Sequence, residues 1–157
     1  MGKATEKRTT EKIQKKKPKA LVVTEDEFLK LRPIISPYVS QKKKTADDLL
    51  LELDLREFKK RSIIRRFLPT PDTKKILLDK LGMDVFLLCD GKRKVIDIIE
   101  IFQEKYRLTS TETKISIKKY LMSLTERHLV GFIIPEKIAK RNLSSGEVIE
   151  NIILNIE

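Results

Sequence analysis

The strongest constraint on this chain is a succession of apolar periodicities between Lys75 and Pro135. Leu78, Leu81, Val85 and Leu88 recur at the spacing of one helical stripe. Val95, Ile98, Ile99, Phe102 and Tyr106 make a second stripe. Ile117, Tyr120, Leu121 and Leu124 make a third, with Lys114, Lys118 and Lys119 expected on its outer face. Asp79 stands where an N-cap is needed, and Thr109 or Ser110 can open the third helix. Asp90-Gly91 supplies the turn between the first two, since glycine accepts the left-handed conformation that ends helices. Lys75-Ile76-Leu77-Leu78 before the helices is strand-like, and Val130 to Ile134 after them is β-prone and stops at Pro135. The expected class is α+β, mainly helical.

Within this stretch, Leu77-Leu78-Asp79-Lys80-Leu81-Gly82 is followed by Cys89-Asp90-Gly91-Lys92-Arg93-Lys94-Val95 and Ile98, and the third helix closes on Leu124-Thr125-Glu126-Arg127-His128-Leu129-Val130. In order and spacing these motifs resemble the PqqD family, over roughly Arg61 to Pro135. Lys94 departs from the Thr or Ser more usual before that valine, and the family core lacks so long an N-terminal extension. The resemblance implies a winged-helix-like domain of three helices and a small antiparallel sheet. Such relatives are recognition elements for ribosomally made, modified peptides. They take a leader peptide as an added strand and present it to a modifying enzyme, often a radical-SAM protein. Carried onto this chain, the edge strand is Lys75, Ile76, Leu77 and Leu78, and the facing helix surface is drawn from Lys114, Ile115, Lys118 and Met122. In β-augmentation backbone hydrogen bonds give affinity and side-chain pockets give register. The lysines would steer an acidic leader; the competing reading is an ordinary solvated helix face.

Outside this core the chain is more polar and more broken. Residues 1–19 hold eight Lys/Arg against two Glu and one apolar anchor, Ile13, which predicts a disordered basic tail. The tail either solubilises the protein or attracts an acidic surface such as nucleic acid. Residues 20–58 are expected to be a helical extension. Thr24 and Glu27 form a capping box before Phe28, Leu29 and Leu31, and that helix stops ahead of Pro33. Arg32 to Gln41 reads as an irregular link with buried Ile34, Ile35 and Tyr38. Lys42 to Lys44 form a solvated charge run. Thr45 is expected to cap a second helix from Ala46 with Leu49, Leu50, Leu53 and Phe58 on its stripe. The extension is either an extra layer on the domain or a separate docking element. The domain itself spans 59–135. There, basic, β-prone Lys59 to Leu68 is expected to pair with Lys75 to Leu78 across a Pro69–Thr73 turn. Residues 136–157 contribute a final amphipathic helix through Val148, Ile149, Ile152, Ile153 and Ile156, with a short C-terminal strand as the competing assignment.

The sequence offers little for catalysis. Cys89 is the only cysteine and sits in an apolar run, as a small buried hydrophobe does. His128 is the only histidine, and this pair falls short of the usual zinc ligand set. The five glycines are scattered and make no phosphate loop. No enzyme, cofactor or metal is expected. No apolar run approaches the roughly 20 residues of a membrane span, and residues 1–19 lack the apolar core of a secretory signal. A cytoplasmic protein is expected.

Net charge is +11, from 34 basic and 23 acidic residues. From Asp72 to Ile134 there are twelve Lys/Arg and nine Asp/Glu, so most of the excess lies elsewhere. Two functional readings follow. One is a peptide-binding adaptor. The other is a winged-helix nucleic-acid-binding protein using Lys15, Lys16, Lys17, Arg65, Arg66 and Lys119. The third helix favours the adaptor, because base-reading helices usually carry Arg, Asn or Gln and this one has only Arg127, at its end.

Overall fold

A computed structural model describes residues 21–56, 58, 71–142 and 152–154. In chain order the elements are β1 (Leu21–Val23), α1 (Glu25–Lys30), β2 (Arg32–Ile35), β3 (Val39–Lys44), β4 (Asp48–Asp54), β5 (Thr73–Asp79), α2 (Lys80–Leu88), α3 (Val95–Tyr106), α4 (Ser110–Glu126), β6 (Val130–Ile133), α5 (Glu136–Asn142) and β7 (Ile152–Leu154). The class is α+β, as expected, with helices against small sheets.

Three sheets form. β3, β4 and β5 make an antiparallel meander, β2 pairs antiparallel with β6, and β1 pairs parallel with β7. The expected helix from Ala46 is therefore strand β4. Its sequence, DLLLELD, satisfies both periods: Leu49, Leu50 and Leu53 suit a helix, whereas Leu49, Leu51 and Leu53 suit a strand. The strand wins because all three leucines of the alternating set are buried while Leu50 is only partly so. Thr45 caps no helix. Its Oγ1 accepts from the Asp48 N–H at 3.0 Å and tightens the β3–β4 turn, the same hydroxyl chemistry put to a different use. The irregular link is likewise β2 and the start of β3. Pro33 is buried there, while Ile34 and Tyr38 are exposed.

The Lys42–Lys44 run is exposed on β3, an edge strand with one register shift between Gln41 and Lys43. Charge and irregularity both blunt an edge against pairing with other chains. β5 pairs antiparallel with β4; the expected strand Lys59–Leu68 lies outside the described residues. The expected C-terminal helix also falls mostly outside them. Its described part, residues 152–154, is strand β7.

Around α2, α3 and α4 the sequence signals hold. Asp79 Oδ1 accepts the Gly82 N–H at 2.9 Å and caps α2. Thr109 rather than Ser110 caps α4. Gly91 has φ of 76°, as the turn requires. The stripe of α2 is rotated from its expected position. Gly82, Met83, Val85 and Phe86 face inward, Leu78 is still in β5, and Leu81 is exposed.

One core unites these parts. Leu49, Leu51 and Leu53 of β4 with Ile76 and Leu78 of β5 present the inner sheet face. Phe86, Val95, Ile98, Leu121 and Leu124 come from the three helices, and Phe28 and Leu31 enter the same cluster from the α1 segment. The Val95 N–H also donates to the Leu31 carbonyl at 2.9 Å. The α1 segment thus packs on the same core as the three helices.

Candidate peptide-binding edge

From Lys75 onward β5 alternates. Ile76 and Leu78 point into the core, while Lys75, Leu77 and Asp79 point out. Of the four residues expected to receive a peptide, Ile76 and Leu78 therefore offer only backbone, and Lys75 and Leu77 offer side chains. Leu77 is 64% exposed, more than any other large apolar side chain described. It stands opposite half-buried Leu50 across the β4–β5 pair. Leu81 follows at the start of α2, 51% exposed. Among the described residues β5 has β4 on one side and no strand on the other. Every second residue of such an outer strand directs its N–H and C=O away from the sheet.

The residues expected on α4 divide between two flanks. Lys114 Nζ lies 3.0 Å and Lys118 Nζ 3.7 Å from Glu25 Oε1 of α1. Only 12% of the Lys118 side chain is exposed, so it does not face out as expected. Hydrogen bonding from Lys114 and the charges of both lysines hold the Glu25 carboxyl below its ordinary range. These lysines anchor α1. Ile115 is exposed and Lys119 projects beside it, while Met122 is half-buried on the margin of the core.

The opposite flank of α4, along Ser116, Tyr120, Ser123 and Arg127 at helical spacing, turns toward α2 and the end of β5. Tyr120 decides this. A Cβ added at Gly82 would fall 2.0 Å from the Tyr120 hydroxyl, so the tyrosine lies directly over the first turn of α2. Burial and the Asp79 charge raise the Tyr120 pKa. The sequence shows Gly82 but not what it is for. The available signal was a glycine inside a helix, which marks a close approach.

Of the expected nucleic-acid residues, Lys119 is exposed on α4; Lys15, Lys16, Lys17, Arg65 and Arg66 lie outside the described residues. Cys89 is fully buried, and its Sγ donates to the Val85 carbonyl at 3.3 Å. Burial, reinforced by the Asp90 charge, pushes its thiol up to about 12. His128, at φ of 61°, lies against Phe58 with ring centroids 4.7 Å apart. Among the described residues no three His, Cys, Asp or Glu side chains gather as a metal site would, and no helix is long and apolar enough to cross a membrane.

Residues 67–130 match the family described as Coenzyme PQQ synthesis protein D (PqqD). This segment is PqqD-like. It takes in β5, α2, α3 and α4 and ends on the first residue of β6, under half of the chain. No curated protein and no solved structure matches the chain.

Proposed function

We propose that the protein is a non-catalytic adaptor of the PqqD type, which captures an extended peptide at the outer edge of β5 and presents it to a modifying enzyme. The observation that carries this reading is β5 itself. Among the described residues it is an outer strand inside the PqqD-like segment, and it bears the most exposed large apolar side chain described. An added strand would pair with its outward backbone groups, and the apolar strip of Leu77 and Leu81 would take alternate peptide side chains. Across the end of β5 the peptide would meet the Tyr120 flank of α4 before it met Lys114 or Lys118. Those lysines are committed to Glu25, so they do little to draw in an acidic leader. The burial and high pKa of Cys89 disfavour a thiolate nucleophile, in keeping with a binding role. A radical-SAM partner is one enzyme class the PqqD likeness suggests.

The test is a titration of the full chain with a library of extended peptides, beside the variant Leu77→Glu. The expected result is saturable binding with weak salt dependence, lost in the variant while the fold is kept. Binding only to duplex DNA or RNA, with a steep salt slope, would instead favour nucleic-acid recognition through the basic residues.

A further inference from the structure

We propose a second site, independent of the β5 edge: a basic depression at the joint of α1, β2, α3 and β6 that binds a small organic phosphate. Its volume is about 340 Å³, and it is lined by Lys30, Arg32, Lys94, Ile133 and Pro135. That is the size of a small-molecule site, roughly 300–1,000 Å³. All five residues are exposed, so the depression opens to solvent. Three elements bring the cations together. Lys30 ends α1, Arg32 begins β2 directly opposite Ile133 of β6, and Lys94 immediately precedes α3.

Several other cations of the molecule are committed to carboxylates. Arg93, Lys105, Lys114, Lys118 and Arg141 each have a carboxylate partner. Among the described residues Lys30, Arg32 and Lys94 have none, and no carboxylate lines the depression. Three like charges converging on one hollow raise the potential there, and an anion relieves it. The helix end is not what binds. The Lys94 N–H is held by Asp97 Oδ2 at 2.8 Å, and the Val95 N–H by Leu31.

The residue types specify the anion. The guanidinium of Arg32 offers a planar fork for two oxygens, and each lysine adds a mobile point charge. A phosphomonoester dianion has acceptors for all three and neutralises two of their three charges; a single carboxylate neutralises only one. Ile133 and Pro135 form an apolar wall for an organic substituent. Among the described residues no aromatic side chain lines the hollow for a base to stack on, as a nucleic-acid strand would use. Four of the five residues lie outside the PqqD-like segment, so the site is a feature of this chain rather than of that segment.

The test uses the full chain and phenyl phosphate, followed by backbone amide NMR, with benzoate as the monoanion. Phenyl phosphate should saturate one site, shifting resonances of Arg32, Lys94 and Ile133, and should bind more tightly than benzoate. Arg32→Gln and Lys94→Gln should each weaken it about tenfold, the usual scale for losing a charge-assisted contact. Lys43→Gln, which removes the same charge from exposed β3, should change it less than about twofold. Equal weakening by all three variants would overturn the proposal, because it would mean diffuse attraction to a basic protein. So would the absence of saturable phenyl phosphate binding, or shifts at these residues produced by duplex DNA or an acidic peptide but not by phenyl phosphate.

Discussion

The two flanks of α4 make opposite use of their surroundings. On one, Lys114 and Lys118 meet Glu25, and the helix that carries Glu25 is tied again where Arg141 forms a two-pronged pair with Glu27, at 2.6 and 2.8 Å. Glu27 also completes the Thr24 capping box. That flank is closed by the chain's own charges. On the other, Tyr120 packs on Gly82, and beyond it β5 shows Leu77 and an outer backbone edge. The comparison teaches that exposed charge on a helix is a poor guide to a binding face. The lysines that looked available are spoken for, and the open surface is apolar and lies on a strand.

This contrast can be broken from the inside outward. Phe86 is fully buried in the common core, and Phe86→Ala should cost about 3–5 kcal/mol, measured as a fall in the urea midpoint. Gly82→Ala should selectively damage the open flank. Its new methyl meets the Tyr120 hydroxyl and, at 2.9 Å, Asp79 Oδ1. A loss of about 1–3 kcal/mol is expected, partly offset by better helix propensity, and Gly82→Ala with Tyr120→Phe should recover part of it. Thr24→Ala, which removes the α1 cap on the closed flank, should cost about 1 kcal/mol.

The closed flank also predicts an acid limb. The Arg141 hydrogen bond, then that of the Thr24 N–H, holds the Glu27 carboxyl down from 4.5 to about 2. A carboxylate whose folded pKa is depressed stabilises fully above its unfolded value. This contribution is therefore present above about pH 4.5 and fades as pH falls toward 2. Unfolding midpoints at pH 6 and pH 3 should differ less in Glu27→Gln than in the parent. Last, Leu77→Glu should leave stability within about 0.5 kcal/mol, as exposed substitutions usually do, yet abolish peptide binding. A large loss of stability would mean that Leu77 belongs to the fold rather than to a site.

The helical half of the fold was legible because its signals agree with one another. Asp79 and Thr109 cap, Gly91 turns, and the Val95–Phe102 stripe is buried as its spacing requires. The meander was not, because DLLLELD fits two periods and only its long-range partners β3 and β5 choose between them. The strand from Lys75 to Leu78 could be named, but not its partner β4, from which residues 55–72 separate it. On α4 the spacing placed Ile117, Leu121 and Leu124 inside. It carried no information about Glu25, which is far away in sequence. Gly82 was visible but uninterpretable until Tyr120 was seen above it.

The most direct test of the central claim is amide hydrogen exchange on the full chain, with and without a bound extended peptide. Added strand pairing predicts new protection in β5 at residues whose N–H points away from β4, with no change at Glu25 or Lys118. Protection confined to the α1–α4 seam, with β5 exchanging as before, would contradict it.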